Sequence, residues 1–213
     1  MDLPNVSAAD EVPTRIQARN REAILSAGRE VFARHGLRGA TLDEIARTAG
    51  MSKPNLLYYF RRKTDLYKAV LEEVLADWLS PLHALDPEGD PVEELRRYIV
   101  AKMQLSNMHP QASRLFAGEI IAGAPNIHGF LSTELRDIVA RKARTIEAWV
   151  AQGRLAPIDP HHLIFAIWAI TQHYADFDAQ IRAVLGDRAG RPGFREEAAE
   201  AVLGLVLNGV TPR

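Results

Sequence analysis

The sequence predicts an all-α protein with two parts, a small N-terminal helix-turn-helix domain and a larger helical bundle behind it. Apolar residues recur at helical spacing along nearly the whole chain, and no segment shows the sustained alternation of a β-strand. The segment TLDEIARTAGMSKPNLLYYF, from Thr41 to Phe60, contains two helical stretches of about two turns each, separated by Gly50. Isolated helices this short are marginal in water, so the longer helices on either side must support them.

Charge is distributed unevenly along the chain. The 213 residues include 26 Lys or Arg and 27 Asp or Glu, for a net charge of −1. Residues 13–64 nevertheless hold 11 of the basic and 4 of the acidic residues, a net charge of +7, and the other residues carry −8. A basic segment ahead of an acidic body indicates that contact with nucleic acid is made by the N-terminal part. We therefore divide the chain into a loose arm at 1–14, a basic domain at 15–64 that is expected to bind DNA, and an acidic helical domain at 65–213.

Composition excludes several classes of protein. The absence of cysteine rules out disulfides, thiol catalysis and zinc sites built on thiolates. No apolar run approaches the roughly 20 residues that a membrane span needs. The first residues, MDLPNVSAADEVP, lack the basic region and apolar core of a secretory signal. We therefore expect a cytoplasmic protein with no membrane association, no metal and no cofactor.

Capping residues and glycines set the expected helix boundaries. Asp90 and Asp159 each precede a proline, which is the arrangement of an N-cap and the first helical residue. Gly36, Gly153 and Gly209 are each expected to end a helix. Outside the segment around Gly50, the predicted helices cover residues 18–35, 64–85, 90–107, 111–122, 131–152, 160–185 and 194–208.

The two short helices have well-defined ends. Thr41 caps the first helix and Glu44 completes a T-x-x-E capping box, whereas Gly50 ends it. Ser52 caps the second helix, with Pro54 in its first turn, where proline costs little. Two short helices joined by a three- or four-residue turn that contains glycine form a helix-turn-helix, whose second helix enters the major groove of DNA.

The outward side of this motif carries groups suited to phosphates and base edges. Backbone N–H groups at the helix starts, with the Thr41 and Ser52 hydroxyls, are expected to bind phosphates. Lys53 and Asn55 lie early on the second helix, within reach of bases, and Lys63 is assigned to phosphate. The candidate DNA-contacting residues are Thr41, Ser52, Lys53, Asn55, Tyr58, Tyr59 and Lys63. The alternative is that the tyrosines belong to the core and that the RRK run at 61–63 is a solvated charge run.

A resemblance to a known family begins at residue 23. Residues 23–66 read AILSAGREVFARHGLRGATLDEIARTAGMSKPNLLYYFRRKTDL and resemble the N-terminal DNA-binding domain of the TetR family of bacterial repressors. The resemblance implies a homodimer that binds palindromic double-stranded operator DNA, an effector pocket in the helical body, and release from the operator when the effector binds. The family commonly has a tyrosine three residues before the phenylalanine that is Phe60 here. This chain has Leu57 at that position, with Tyr58 and Tyr59 beside it, so either tyrosine is a candidate for the phosphate contact.

The body resembles one branch of that family. The segments ADWLSPL, HPQASRLFAGEIIAGAP, GRLAPIDPHHLIFAIWAITQHYADF and GVTPR are similar to the rut-type regulators that control pyrimidine utilisation. The resemblance implies a regulator, acting mostly as a repressor, that responds to uracil or thymine. One alternative is a TetR-type repressor of unrelated genes with a different hydrophobic or aromatic effector.

A second alternative is a helical enzyme that uses His173 and Asp176, which share a helix face at i and i+3 spacing. The sequence contains no identifiable nucleophile and no HExxH, P-loop or GxGxxG pattern. We therefore expect that the protein is not an enzyme.

One helix of the body carries a polar side chain in apolar surroundings. Within LIFAIWAITQHYADF, Trp168 and Gln172 are four residues apart and share a face. The carboxamide of Gln172 offers an acceptor and a donor side by side, which match the adjacent carbonyl and N–H of a pyrimidine imide. Trp78 and Trp168 are candidate stacking walls, although aromatic residues at helical spacing are more often plain core. Gln111 and Ser113 are further candidates for the pocket, with helix capping as their alternative role.

The last two predicted helices are too apolar for one core. Residues 160–185 carry apolar side chains on more than one face, and residues 194–208 add a further apolar stripe. The residues concerned are Ile164, Ile167, Trp168, Ile170 and Phe177 in the first helix and Ala198, Val202, Leu203, Leu205 and Val206 in the second. Packing both helices against their symmetry mates is expected to form a four-helix dimer interface.

Overall fold

The structure is a computed structural model that describes residues 14–212. Within that range the chain contains eleven α-helices and no β-strand, so the predicted all-α fold is confirmed. In chain order the helices are α1 (Arg15–Gly39), α2 (Leu42–Thr48), α3 (Lys53–Tyr59), α4 (Lys63–His83), α5 (Pro91–Met108), α6 (Pro110–Ile121), α7 (His128–Phe130), α8 (Arg136–Ala151), α9 (Pro160–Asp176), α10 (Asp178–Leu185) and α11 (Phe194–Val210). A π-type turn at Leu131–Leu135 joins α7 to α8, and a 3-10 turn at Gly186–Gly190 follows α10. The expected arm at 1–14 lies outside the described residues except for Thr14, which caps α1.

The chain divides into two compact units, the first ending at Val70 and the second starting at Leu71. This division and the boundary expected after residue 64 both fall within α4. The core of the first unit is formed by fully buried apolar side chains: Ile24, Val31, Phe32, Ile45, Leu56, Leu66 and Val70. Gly28 on α1 lets α4 approach closely, because a Cβ at that position would lie 3.0 Å from Cγ2 of Val70. Within this unit, α2 packs against both α1 and α3, so the short helices are supported by a longer neighbour.

The core of the second unit is formed mainly by α5, α8, α9 and α11. Helix α5 packs against both α9 and α11, and α8 packs against α9. The indole N–H of Trp149 on α8 donates to the carbonyl of Pro87 at 2.9 Å, which anchors the loop before α5. A second, smaller cluster consists of Val74, Trp78 and Ala112, with Leu105 and Phe116 packed against it.

The single helix predicted at 160–185 is wrong, because two helices, α9 and α10, occupy this range. Phe177 separates them with non-helical dihedral angles, φ −111° and ψ 29°. Arg195 of α11 stabilises this corner, since its guanidinium donates to the Tyr174 carbonyl at 2.9 Å and to the Asp178 carboxylate at 3.1 Å. Arg195 is distant in sequence from the corner that it holds, so local periodicity does not reveal the break.

Glycine marks some helix ends as expected and not others. Gly50 and Gly153 adopt positive φ, 68° and 71°, shortly after the ends of α2 and α8. Gly36 breaks the regular helix as expected, with φ 65° and non-helical dihedral angles, although α1 resumes for three more residues after it. The expected stop at Gly209 is wrong, because α11 continues through it to Val210.

Candidate DNA interface and effector cavity

The predicted helix-turn-helix is formed by α2 and α3. The hydroxyl of Thr41 accepts the N–H of Glu44 at 3.2 Å, and the hydroxyl of Ser52 accepts the N–H at residue 55 at 3.4 Å. The Glu44 carboxylate lies 3.2 Å from Nε2 of His35 on α1, so the expected capping box is only half formed. Each capping hydroxyl accepts one hydrogen bond and keeps its own O–H as a donor for a phosphate.

The outer side of α3 is exposed at Lys53, Asn55 and Tyr58. The ammonium of Lys53 lies 2.8 Å from the carboxylate of Asp43 on α2, and both side chains are well exposed. An exposed ion pair of this kind contributes less than about 1 kcal/mol. A DNA phosphate or base can therefore replace Asp43 as the partner of Lys53 at little cost.

The two candidate tyrosines occupy different environments. Tyr58 is 70% exposed, and its hydroxyl accepts a long hydrogen bond of 3.4 Å from Nε2 of Gln17. Tyr59 is partly buried, and its hydroxyl accepts from Nδ2 of Asn20 on α1 at 3.2 Å. The rings meet edge to face with centroids 5.2 Å apart. Tyr58 thus presents its hydroxyl to solvent, while Tyr59 is directed towards α1.

Lys63 at the start of α4 has a structural contact that the sequence did not predict. Its ammonium donates to the carbonyl of Ala40 at 2.7 Å and to the carbonyl of Arg38 at 3.2 Å. These carbonyls lie at the C-terminal end of α1, where backbone acceptors lack helical partners and a cation is favourable. An ammonium has three N–H donors, so one more is available for a phosphate.

A small cavity in the second unit brings three of the predicted ligand residues together. Trp78, Trp168 and Gln172 all line it. The other lining residues are Leu75, Leu79, Lys102, Phe116 and Leu135. Its volume is about 40 Å³. A water needs at least roughly 10–15 Å³ and occupies about 30 Å³ in the liquid, so the cavity has room for only one or two waters, and a larger ligand requires the lining side chains to move.

The aromatic walls are held by specific contacts. The indole N–H of Trp168 donates to the hydroxyl of Tyr98 on α5 at 2.6 Å. Burial raises the pKa of Tyr98, and the hydrogen bond from Trp168 opposes that shift. The ring of Trp78 meets Phe116 edge to face at 5.7 Å between centroids. Gln172, one turn after Trp168, is half-buried at the same wall.

Lys102 on α5 lines the cavity but is not among the residues predicted from the sequence. The side chain is 4% exposed, and its ammonium lies 4.6 Å from the ring centroid of Trp78, a cation–π contact. Burial lowers the pKa of Lys102 to about 8, and the charge of Asp176 opposes that shift. A signal for it does exist, because Lys102 continues the buried helical stripe of Leu95 and Ile99 on α5. A charged residue on such a stripe is unusual enough to indicate a site.

The remaining predicted residues lie outside the lining of the cavity. Ser113 is fully buried and donates to the carboxylate of Asp176 at the end of α9. Burial raises the pKa of Asp176, while the Ser113 hydroxyl and the charges of Arg114, Lys102 and His173 lower it. Ser113 therefore does not line the cavity itself. It contacts Asp176, whose charge acts on the cavity residue Lys102. Gln111 is exposed at the start of α6.

The apolar residues predicted to form a dimer interface fall into two groups. Most of them pack into the core of their own unit, including Ile164, Ile167, Ala198, Val202, Leu203 and Val206. The large apolar side chains that remain exposed on α9, α10 and α11 and at the corner between α9 and α10 are Phe165, Phe177, Val184, Leu185 and Leu205. His173 stacks on Phe177 with centroids 4.9 Å apart, at the edge of an open apolar groove formed with α10.

Two further observations apply to the described residues as a whole. None of their helices has the length and apolar character needed to cross a membrane. They also contain no group of three or more His, Cys, Asp or Glu side chains that is placed to hold a metal ion.

Comparison with known families matches almost the whole chain in two parts. Residues 24–70 match the family model of bacterial regulatory proteins of the tetR family. Residues 71–213 match the model of the C-terminal region of YcdC-like protein. The two matches meet where the two compact units meet.

Individual proteins agree with this result. The HTH-type transcriptional regulator RutR of Escherichia coli strain K12 is 44% identical over 200 residues, which cover 94% of each protein. The crystal structure of SCO4942 from Streptomyces coelicolor has a TM-score of 0.70 at 28% identity, covering 87% of this chain and 97% of that one. A regulatory protein of the tetR family from Rhodococcus RHA1 has a TM-score of 0.71 at 22% identity, covering 91% and 98%, and it shows likeness of fold alone.

Proposed function

This chain belongs to the TetR family of DNA-binding transcriptional regulators, and on that basis we propose that it is a homodimeric repressor of pyrimidine utilisation in the cytoplasm. Its binding to palindromic operator DNA is released by uracil or thymine. The chain is a regulator and not an enzyme, since the family and the relatives that it matches are transcriptional regulators. The 44% identity to RutR agrees with the resemblance of the body to rut-type regulators.

The DNA-binding role is supported by the exposed side of α3. Lys53 and Asn55 face solvent in its first turn, where a recognition helix presents side chains to base edges. Thr41 and Ser52 cap the two helices and keep hydroxyl protons for phosphates, and Tyr58 adds a solvent-exposed hydroxyl. We assign base contacts to Lys53 and Asn55, and phosphate contacts to Thr41, Ser52, Lys63 and one of the two tyrosines, Tyr58 or Tyr59.

The homodimer is supported by the exposed apolar side chains of α9–α11. Phe165, Phe177, Val184 and Leu205 are each at least half exposed, which is unusual for large apolar side chains of one region. Pairing of this face with a second copy removes them from water and gives a two-fold axis. Two recognition helices related by that axis can read half-sites about 34–36 Å apart, one turn of DNA.

The effector role rests on the meeting of Trp168 and Gln172 with Trp78 at one cavity. The half-buried carboxamide of Gln172 is placed to pair with a carbonyl and an N–H of a pyrimidine, and the indole rings offer faces for stacking. Because the cavity has room for only one or two waters, binding of a pyrimidine must displace lining side chains. Such a displacement is the kind of differential contact that lets a ligand shift a protein between two states.

The test is a titration of the protein against labelled genomic DNA fragments, followed by fluorescence anisotropy. A fragment that carries an operator should bind more tightly than a scrambled fragment at the same salt concentration, and uracil should release it. Phenol serves as a control, since it is aromatic and of similar size but lacks an imide. Sequence-specific binding that uracil leaves unchanged contradicts the proposed effector. Release by phenol as readily as by uracil favours a different aromatic effector.

A further inference from the structure

Lys102 is a charge that the body buries without a close counter-ion. The ammonium lies against the face of Trp78 rather than against a carboxylate. Its attraction to Asp176 is felt from a distance, and Asp176 already accepts a hydrogen bond from Ser113. Among the described residues, none is seen to accept a hydrogen bond from the Lys102 ammonium. A strongly desolvated cation in this position is well prepared to bind an oxygen that a ligand brings.

The two polar groups at the cavity make different demands on a ligand. The ammonium of Lys102 has three donors and no acceptor, whereas the carboxamide of Gln172 has both. A ligand that satisfies Gln172 presents an N–H next to a carbonyl. A ligand that also satisfies Lys102 presents a further oxygen acceptor elsewhere on its ring.

We propose that Lys102 makes this cavity selective for dioxo pyrimidines, because it donates to the ring carbonyl that Gln172 does not contact. In such a ring the imide N–H lies between two carbonyls, so Gln172 takes the N–H with one carbonyl and Lys102 takes the other. The inference rests on the proposed function, since it requires a pyrimidine at this cavity. It adds a specificity-determining residue from α5 to the candidates on α4 and α9.

The small volume of the cavity is consistent with this role. A pyrimidine ring is larger than the space of about 40 Å³ that is open between the side chains. The flexible four-carbon stem of lysine lets the ammonium leave the ring of Trp78 and follow a ligand oxygen. Movement of Lys102 uncovers the face of Trp78, so the same event creates the hydrogen bond and the stacking surface.

Other ligand classes satisfy this arrangement less well. A purely apolar ligand leaves both Lys102 and Gln172 buried without partners, which is unfavourable. A carboxylate ligand pairs with Lys102 but is repelled by the charge of Asp176, which acts on the same ammonium. A neutral ring with two carbonyls avoids both penalties.

The experiment is calorimetric titration of three ligands: uracil, pyrimidin-4(3H)-one and pyrimidin-2(1H)-one. Each analogue lacks one of the two uracil carbonyls. The proteins compared are the wild type, Lys102→Met and Arg144→Met. The last is a matched control, because it also removes one positive charge, but from the exposed side of α8.

The wild type and Arg144→Met should bind each analogue about tenfold or more weaker than uracil, as expected when a buried donor loses its acceptor. For one of the two analogues, this difference should shrink to about twofold or less in Lys102→Met, because the residue that reads the missing carbonyl is absent. Thermal unfolding of each variant verifies that it is folded.

Failure of the Lys102 assignment and failure of the proposed effector give different results. Equal losses for both analogues in the wild type and in Lys102→Met overturn the assignment of Lys102 while leaving the pyrimidine effector intact. A wild type that does not bind uracil overturns the proposed effector and this inference with it.

Discussion

Lys53 and Lys102 carry the same charge in opposite surroundings. Lys53 projects from α3 into solvent, with the carboxylate of Asp43 at 2.8 Å as an exposed partner. Lys102 lies inside the body against the ring of Trp78, and burial lowers its pKa to about 8. Lys53 of the first unit thus keeps its charge in water, where a DNA phosphate can replace Asp43 as its partner. Lys102 of the second unit carries its charge in apolar surroundings, where one hydrogen bond to a ligand oxygen contributes more to the binding free energy than it would in water.

This difference in surroundings sets the size of the effects expected from substitutions. Exposed contacts with DNA are numerous and individually small, and salt screens them. Buried contacts with an effector are few and individually large, because an unpaired polar group in a cavity is costly. Substitutions in the cavity are therefore expected to have larger effects than substitutions at the DNA surface.

The largest effect is expected for Gln172→Leu. A leucine of similar size fits the apolar surroundings, so fold and operator affinity should be kept. The effector loses a hydrogen-bond donor and an acceptor to the protein, at about 1–3 kcal/mol for each group left unpaired, which corresponds to a loss of roughly tenfold to hundredfold or more in affinity. Calorimetric titration of uracil and thymine into both proteins measures the change.

The matched control for this prediction is Gln104→Leu, which makes the same replacement on the exposed side of α5. It should leave the affinity for uracil unchanged. Equal affinities in the wild type and in Gln172→Leu remove Gln172 from the site. In that case the cavity would not read a pyrimidine edge through its carboxamide.

The second prediction is that Lys102→Met stabilises the protein without effector. The pKa of Lys102 is lowered from 10.5 to about 8 on folding, so the unfolded chain binds the proton more tightly. That difference corresponds to a cost of about 3 kcal/mol for burying the charge at neutral pH, which methionine avoids while filling similar space. The attraction between Lys102 and Asp176 is already included in this shift. Thermal unfolding at pH 7 should show a rise of several degrees.

The difference in stability between the wild type and Lys102→Met should depend on pH. Between about pH 8 and 10.5 the folded wild type has released the proton of Lys102 and the unfolded chain still binds it, so the stability of the wild type rises with pH. Lys102→Met should lack this rise, and its advantage should disappear near pH 10.5. Asp176, which Arg114 and His173 also face, does not cancel in the comparison, because loss of the Lys102 charge raises its pKa further. A destabilised Lys102→Met at pH 7 contradicts the prediction.

The first unit was largely predictable because its signals are local. The caps at Thr41 and Ser52 and the turn at Gly50 follow from residues three or four positions apart, and the structure shows the hydrogen bonds and the positive φ that they require. The hydrogen bonds of Lys63 could not be predicted from local signals. Its carbonyl partners at Arg38 and Ala40 come from another helix, so its structural contact depends on how α1 and α4 pack.

The body was less predictable because its features depend on residues distant in sequence. The shared face of Trp168 and Gln172 follows from helical spacing, but their meeting with Trp78 depends on the packing of α4 against α9. The break at Phe177 is held by Arg195 from the next long helix. Lys102 left a local trace, a charge on an apolar stripe, and its role became apparent only when its neighbours were known.

The third prediction separates the two lysines of the first unit. Lys63→Ala should lower the free energy of unfolding by about 1–2 kcal/mol, because two carbonyls at the end of α1 lose a charged donor. Lys53→Ala should change it by less than about 1 kcal/mol, since the pair with Asp43 is exposed. Denaturant unfolding of both variants measures the difference.

Both variants should also weaken operator binding, in different ways. Lys63→Ala should weaken it almost equally for all sequences and reduce the salt slope by about one ion, as loss of a phosphate contact does. Lys53→Ala should alter the preference among operator variants. A changed sequence preference in Lys63→Ala with an unchanged salt slope contradicts this division of roles.

The smallest effect is expected from removing one hydroxyl at the DNA surface. Tyr58→Phe should lower operator affinity by about 1 kcal/mol, roughly fivefold, because its exposed hydroxyl is held only by a long contact with Gln17 and is available to a phosphate. Tyr59→Phe should change DNA binding little and reduce stability slightly, because that hydroxyl is occupied by Asn20. Neither variant removes a charge, so the salt slope should be the same in both. Anisotropy titrations at two salt concentrations decide the matter: a larger loss in Tyr59→Phe than in Tyr58→Phe reverses the assignment and makes the partly buried tyrosine the phosphate contact.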